Sequence, residues 1–343
     1  MSEIGDLLTA ADDAERRGQR YALATVVAVS GSSYRRPGAR LLVPESGRPV
    51  GLISGGCLER EAAAFALAAL KEEVPTVETI DHSAEGDEVW GSGLGCRGVI
   101  ELLVEPADLA AETVGALRAA HETGAETFLL TGEDGERRRL SREQALGLGE
   151  RAALAVARGR PTLIGQAVLD PILPSPHLLV CGAGPDAEPI VAGAVRLGWG
   201  VTVADPRRGA PDPARFPGAT LLGGDPAEVA RAASTGRRAA LLMSHNYLRD
   251  GEYLAALVGS GLDYIGILGP RDRTERLLTE LAHQNVHLTD DDRMHLHAPA
   301  GLDLGADGPE EVAAAILAEI LAVFHGGTGA PLRERSGPIH AAS

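Results

Sequence analysis

Lysine is almost absent from this chain of 343 residues: Lys71 is the only one. A Walker-type phosphate loop needs a lysine after its last glycine, and a Schiff base needs a lysine amine. Lys71 falls within a pattern that predicts a surface helix rather than a pocket. We therefore expect neither a kinase of the Walker type nor a Schiff-base enzyme.

Cysteine and aromatic residues are also scarce. The three cysteines, Cys57, Cys96 and Cys181, are too few and too scattered for a disulfide framework. Phenylalanine, tryptophan and tyrosine together make up 3% of the chain. The core must therefore be built from leucine, valine, isoleucine and alanine.

Positive charge is in deficit, since the formal net charge is −16. Binding to nucleic acid or to an anionic membrane needs a basic surface that neutralises phosphate, so we expect neither as a partner. No apolar run approaches the roughly 18 residues of a membrane span, and the N-terminus lacks the basic and apolar regions of a signal peptide. These absences predict a globular protein of the cytoplasm.

The strongest positive signal lies between residues 178 and 205. A short apolar run leads into Gly182-x-Gly184-x-x-Ala187, and a helical pattern and a second apolar strand then end at Asp205. Gly182 permits a tight turn, Gly184 lets the backbone approach a pyrophosphate, and an acid at this distance binds a ribose hydroxyl. The pattern predicts a dinucleotide-binding βαβ unit. A Rossmann-like unit that binds no dinucleotide is the alternative.

Strands and helices go on alternating to residue 284, which predicts a parallel sheet covered on both faces. Ligands bind at the carboxyl ends of such strands, where His245 and Arg271 follow later strands. His245 could act as an acid, a base or a ligand donor, with helix capping or packing as the alternative, and Arg271 could bind phosphate. A metal is a further alternative at a histidine-rich run, although no third-ligand spacing supports it: His283, His287, His295 and His297.

The N-terminal half carries an anion-binding pattern between its first two apolar strands. Ser32 and Ser33 lie in a run of small residues that exposes backbone N–H groups, and Arg35, Arg36 and Arg40 supply bidentate donors for phosphate or carboxylate. An ordinary polar hairpin with solvated arginines is the alternative.

Two cysteines lie in glycine-rich loops beside predicted strand ends. Cys57 follows Gly55 and Gly56 and precedes a helix predicted at 58–72, whose positive end would lower the pKa of the thiol. Cys96 follows Gly95 in a loop whose backbone a ligand could approach closely. We predict a shared ligand site, with a buried structural role as the alternative for Cys57. Structural zinc is not expected, because neither cysteine has a CxxC partner.

Residues 170–176 hold three prolines and predict a linker. We therefore predict an α/β protein with two domains. An N-terminal α/β domain spans residues 1–169, and a C-terminal Rossmann-like parallel sheet with its last helix spans 177–325. A tail follows at 326–343.

Six stretches, in the right order, resemble the xanthine dehydrogenase accessory factor family of XdhC/CoxI type. They are GSSYRRPGARLLV, SGGCLE, GLGCRG, the GAG of the Rossmann turn, GILGPR, and LHAPAGLDLGADGPEEVAAAILAEI. The last stretch is long and specific. The sequence departs from the family at Pro185, where a histidine is frequent, and at Arg97, where a glycine is frequent.

The resemblance implies a homodimeric chaperone rather than an enzyme. It implies that the protein binds molybdenum cofactor as molybdopterin or its dinucleotide form, helps to sulfurate it with a cysteine desulfurase, and delivers it to an apo molybdenum hydroxylase. Cys57 and Cys96 become candidate molybdenum contacts, since soft thiolates suit such a partner. Two alternatives stay open: an NAD(P)-dependent oxidoreductase with His245 as proton donor, and a nucleotide-binding regulatory module.

Overall fold

A computed structural model describes residues 3–31, 34–81, 98–207, 211–232 and 236–334. The chain divides into two compact units, one of residues 174–331 and one of residues 3–173 with 332–334. Both mix helices and strands, and the second half holds the expected parallel sheet, so the predicted α/β class is confirmed.

The N-terminal unit begins with an antiparallel sheet of five strands in the order β3-β2-β1-β5-β4. Its elements are α1 (Glu3–Arg16), β1 (Tyr21–Gly31), β2 (Arg40–Pro44), β3 (Val50–Gly51), α2 (Glu59–Glu72), β4 (Thr76–Asp81) and β5 (Gly98–Glu105). Successive residues of β1 point to opposite faces of the sheet, and those on both faces are buried. One face packs against small residues of α2, and the other packs against α1 and the helix that follows β5.

A second antiparallel sheet of the same unit has the order β7-β6-β9-β8. Its elements are α3 (Ala107–Thr123), β6 (Thr127–Thr131), β7 (Arg137–Leu140), α4 (Arg142–Leu146), α5 (Glu150–Arg158), β8 (Thr162–Ile164) and β9 (Ala167–Ile172). The helical pattern of residues 142–158 predicts one helix, but the structure breaks it at 147–149. The apolar pattern of residues 162–169 predicts one strand, but these residues belong to a hairpin that turns at Gly165, where φ is +62°.

The linker predicted at 170–176 starts three residues too early, because β9 continues to Ile172. Asp170 lies within that strand and is buried. Leu173–Pro176 then runs without regular secondary structure to the first strand of the next unit.

The C-terminal unit is built on a parallel sheet of six strands in the order β12-β11-β10-β13-β14-β15. Its elements are β10 (His177–Cys181), α6 (Ala187–Arg196), β11 (Gly200–Ala204), β12 (Thr220–Leu222), α7 (Pro226–Ala232), β13 (Arg238–Leu242), α8 (Tyr247–Leu257), β14 (Tyr264–Ile267), α9 (Arg271–His283), α10 (Asp290–Met294), β15 (Leu296–His297) and α11 (Pro309–His325). Counting from β10, this is the 3-2-1-4-5-6 order of a Rossmann sheet.

Two helical layers cover this sheet. Apolar side chains of α6 and α11 pack on one face, and those of α8 and α9 pack on the other. Helices α6 and α11 approach closely at Gly193, where a Cβ would overlap the side chain of Leu317. Cys181 is fully buried among α8 and α9, and burial raises the pKa of its thiol, so it is a core residue.

The histidine-rich run contains a helix and the sixth strand, which the periodicity did not indicate. His297 ends β15, stacks on Tyr264 and lies 3.1 Å from a carboxylate oxygen of Glu319 on α11. Across the described ranges, no group of three or more His, Cys, Asp or Glu side chains is arranged to hold a metal ion. In the same part of the chain, no helix is both long and apolar enough to cross a membrane.

Candidate functional site

The strand order of the C-terminal unit reverses between β10 and β13, so the ligand-binding crevice of this fold lies at their carboxyl ends. Gly182 directly follows β10, and Ser244 comes two residues after β13. Four predicted site residues meet here: Gly182, Gly184, Asp205 and His245. The structure therefore brings these four residues together at one edge of the sheet, and their binding of a cofactor stays a prediction.

Gly182 serves the packing of the two central strands. Its φ is +136°, and a Cβ there would overlap the carbonyl of Met243. A side chain at Gly184 would instead overlap the carboxylate of Asp186, the residue just before α6. The open space beside Gly184 is thus already filled by a carboxylate.

Asp205 is buried, and its oxygens accept hydrogen bonds from the glycine turn and from its own loop. The N–H of Ala183 donates to Oδ2 at 2.7 Å, and the N–H of Arg207 donates to Oδ1 at 2.8 Å. The guanidinium of Arg207 adds a bidentate contact. Burial alone would raise the pKa of Asp205, but the hydrogen bonds from Arg207 and Ala183 outweigh it and hold that pKa below its ordinary value.

His245 faces Asp186 across the crevice. Its Nε2 lies 2.8 Å from Oδ2 of Asp186, and its backbone has φ +54°, which is uncommon for a residue with a side chain. The other oxygen of Asp186, Oδ1, is buried and accepts no hydrogen bond. The pair places an acceptor and an exposed imidazole beside the glycine turn.

A buried carboxylate, Asp250, holds the loop that carries His245. Its Oδ1 accepts hydrogen bonds from the N–H and hydroxyl of Ser244, and its Oδ2 accepts from Arg273 at 2.7 Å. Arg273 is the arginine that reaches this network, whereas the predicted Arg271 is exposed at the start of α9. Both arginines belong to the sequence GPRDR, and the first turn of α9 places Arg273 against Asp250.

The loop before α2 in the N-terminal unit largely satisfies its own donors. The hydroxyl oxygen of Ser54 accepts N–H groups from Gly56, Cys57 and Leu58 at 3.1 to 3.2 Å. The carboxylate of Glu59 accepts the Ser54 hydroxyl and the N–H groups of Ile53 and Ser54. Glycines 55 and 56 remain exposed, with open space where a Cβ would stand.

The thiol of Cys57 is half-buried. It packs beside the apolar cluster under α2, and its sulfur lies 3.5 Å from the Ser54 oxygen. A soft ligand atom therefore stands next to a loop that a ligand can approach at Gly55 and Gly56.

The three predicted anion-binding arginines have different positions. Arg35 is ion-paired with Glu3 at 2.6 Å, and Arg36 is half-buried in the turn between β1 and β2. The prediction that Arg40 belongs to an anion-binding loop is wrong, because its side chain is buried and donates to Thr25 and to both carboxylate oxygens of Asp170. Its guanidinium ties the two sheets of this unit together.

A groove of about 720 Å³ lies between α2 and the β2–β3 hairpin and reaches the cysteine loop at Gly56. Its apolar lining includes Leu41, Val43, Pro49, Ala63 and Leu67. Arg48 and Arg60 also line it, and neither has an ion-pair partner within the described ranges. Sequence reasoning missed both arginines, and the only signal was their place on either side of the SGGCLE stretch.

Four predicted site residues lie outside the described residues: Ser32, Ser33, Gly95 and Cys96. The contact of molybdenum with Cys96 and the shared site of Cys57 and Cys96 therefore stay predictions.

The parallel sheet in 3-2-1-4-5-6 order, with a glycine turn at its switch point, defines a Rossmann-type domain, and the preceding unit presents a thiol loop beside a groove. Two family models match the chain. The model described as XdhC Rossmann domain matches residues 178–320, and the model described as XdhC and CoxI family matches residues 14–81. The chain belongs to the XdhC and CoxI family.

Individual relatives agree with this membership. A protein of Bacillus subtilis (strain 168), described as a probable xanthine dehydrogenase subunit, is 30% identical over 93% of this chain and 97% of its own length. The uncharacterized protein YqeB of Escherichia coli (strain K12) is 25% identical over 97% of this chain, which spans 49% of YqeB. A crystal structure of a xanthine dehydrogenase from Bacillus halodurans has a TM-score of 0.73 and 30% identity, and the match covers 97% of this chain and 99% of that one.

Proposed function

We propose that this protein binds molybdenum cofactor, protects it, helps to sulfurate it and inserts it into a molybdenum hydroxylase of the xanthine dehydrogenase type. Membership of the XdhC and CoxI family supports this role, as does the Bacillus subtilis relative described as a probable xanthine dehydrogenase subunit. A cysteine desulfurase would supply the sulfur, and the protein would act as a homodimer in the cytoplasm.

The observation that carries the proposal is the groove beside the Cys57 loop. A volume of about 720 Å³ falls in the range of small-molecule sites. Apolar walls suit a ring system, and Arg48 and Arg60 suit a terminal phosphate, since arginine binds phosphate with two N–H donors. Both acids at the groove are already engaged, Glu45 by Arg20 and Glu59 by its own loop, so the arginine charges are not cancelled there.

Within the proposal, the residues present would hold the cofactor in a definite way. The guanidiniums would bind its phosphate, the backbone at Gly55 and Gly56 would lie against it, and Cys57 would offer a thiolate to the metal centre. The cofactor itself supplies the molybdenum chemistry when it reaches the hydroxylase. The groove shields the bound molecule from water on its apolar side.

Co-expression with the enzymes of cofactor synthesis tests this proposal. Purified wild-type protein should carry about one molybdopterin per chain, measured by mass spectrometry of the released small molecules. Arg60→Ala should lower the bound amount by about tenfold, because a charge-assisted hydrogen bond is lost. Cys57→Ala should lower it as well.

Two matched variants serve as controls. Arg151→Ala removes an exposed arginine of α5, and Cys181→Ala removes the buried thiol of the Rossmann sheet. Both should keep the cofactor. Wild-type protein that stays free of cofactor under these conditions would argue strongly against the proposal.

Among the described residues of the Rossmann crevice, no contact favours the alternative of an NAD(P)-dependent oxidoreductase over the chaperone role. His245 would have to be its proton donor through Nδ1, because its Nε2 is engaged with Asp186. A regulatory module that binds nucleotide would use the same crevice.

A further inference from the structure

The helix that follows the glycine turn begins beside a negative charge of its own. In a dinucleotide-binding domain, the pyrophosphate lies over the second glycine and accepts N–H groups at the start of the helix. Here the carboxylate of Asp186 occupies the space over Gly184, where a Cβ would overlap its Oδ1. An anion that approached the turn would meet another anion.

The turn also lacks one of its donors. Pro185 has no N–H group, so the backbone between Gly184 and Asp186 presents one donor fewer than the usual motif. The N–H of Ala183 already donates to Asp205. The backbone donors that would hold a diphosphate are therefore reduced before a ligand arrives.

Within the described residues of the crevice, the arginines are engaged with other carboxylates. The guanidinium of Arg207 is bound bidentately to Asp205. Arg273 is engaged in an ion pair with the buried Asp250. Among the residues that the structure describes here, two carboxylates, Asp186 and Asp205, thus face the guanidinium of Arg207 and the imidazole of His245.

We infer that Asp186 is a specificity-determining residue that excludes diphosphate-bearing ligands, nicotinamide dinucleotides among them, from the crevice of the Rossmann domain. The negative charge of Asp186 favours a ligand that brings an N–H donor or a cation to the turn instead. A cofactor in dinucleotide form would have to place its diphosphate elsewhere. The exclusion holds whether or not the N-terminal groove binds molybdenum cofactor.

Titration of the full-length protein with ADP in a calorimeter tests this inference. Wild-type protein should bind ADP at least about tenfold more weakly than Asp186→Ala, because removal of a nearby like charge changes the affinity by that order or more. Asp186→Asn keeps the size of the side chain, so it distinguishes the effect of the negative charge from the effect of the occupied space. The gain should fall as salt is added, since exposed charges are screened.

Glu188→Gln is the matched control. It removes one negative charge two residues further along the same helix, where Glu188 is paired with Arg215. This variant should bind ADP as weakly as the wild type. Each variant is first checked by its thermal unfolding, and Asp186→Asn carries the test if Asp186→Ala does not fold.

Two results would overturn the inference. The folded Asp186 variants could bind ADP no more tightly than the wild type, or Glu188→Gln could show the same gain as they do. The last result would mean that net charge alone, rather than the place of Asp186, controls the affinity.

Discussion

Arg40 shows how one side chain can serve the core although its sequence context indicates a ligand loop. It follows Arg35 and Arg36 in a stretch rich in small residues, but β2 begins at Arg40 and turns its side chain inward. There it contacts Thr25 and Asp170 with both partners almost fully buried. Arg35 and Arg36 lie before β2, in the turn that follows β1, so the three arginines of this stretch have different surroundings.

We expect Asp170→Asn to lower the free energy of unfolding by about 3–5 kcal/mol, because the charge of Arg40 would stay buried without its partner. Urea unfolding at neutral pH measures the change. Glu126→Gln is the comparison, since it breaks an exposed ion pair with Arg142 and should cost less than about 1 kcal/mol. Equal losses in the two variants would contradict the buried role of the pair.

At the scale of elements, the start of α2 depends on one serine and one glutamate. The N-cap residue Leu58 has a side chain that accepts no hydrogen bond, and the Ser54 hydroxyl instead accepts three N–H groups of the loop. Glu59 completes the turn by accepting from Ile53 and Ser54. Burial would raise the pKa of Glu59, but the hydrogen bonds from Ser54 and Ile53 outweigh it and lower that pKa.

This lowered pKa predicts how stability depends on pH. The ordinary pKa of a glutamate is 4.5, so the contribution of Glu59 is complete above that pH and is lost as the pH falls through the lower value of the folded state. The stability difference between wild type and Glu59→Gln, measured by urea unfolding, should therefore be constant at neutral pH and shrink below about pH 4.5. Glu72→Gln, at the other end of α2, controls for the change in net charge. A difference that grows in acid would exclude this role of Glu59.

Periodicity predicted the elements whose residues alternate regularly, and failed where single glycines or distant partners decide. Strands β4 and β12 coincide with the segments 76–81 and 220–222, for which the residue pattern predicts strands. Gly149, with φ +111°, divides the helix predicted at 142–158, and its effect depends on geometry that composition does not carry. Strand β15 has two residues and exists only because β14 lies beside it.

For the candidate sites too, the sequence indicated residues that are neighbours in the chain and missed residues that meet only in the folded protein. The glycine turn located the crevice, since its residues are neighbours in sequence. The sequence did not indicate three further residues, because each contacts a partner on another element or loop: Asp186, Asp250 and Arg273. Arg48 and Arg60 were missed for the same reason, as they meet only across the groove.

At the scale of the whole molecule, each compact unit has its own apolar clusters. The clusters of the C-terminal unit are made of residues between 178 and 324. Those of the N-terminal unit are made of residues between 7 and 173. A domain with its own core can fold without further chain.

We therefore expect a chain of residues 174–331, produced alone, to fold and to unfold cooperatively. Circular dichroism during urea unfolding measures this. A shorter chain of residues 174–305 lacks α11, whose Ile316 and Ile320 are fully buried, and it should not unfold cooperatively. Failure of the longer chain to fold would show that the core of the C-terminal unit is incomplete.

The close approach of α6 and α11 constrains how this family can change over time. Gly193 leaves the space that Leu317 fills, so the two positions share one volume although 124 positions separate them in the sequence. A larger residue at 193 is compatible with the same helix packing only when the residue at 317 is shortened. Substitutions at these two positions should therefore arise together in related proteins, as one coupled pair rather than two independent events.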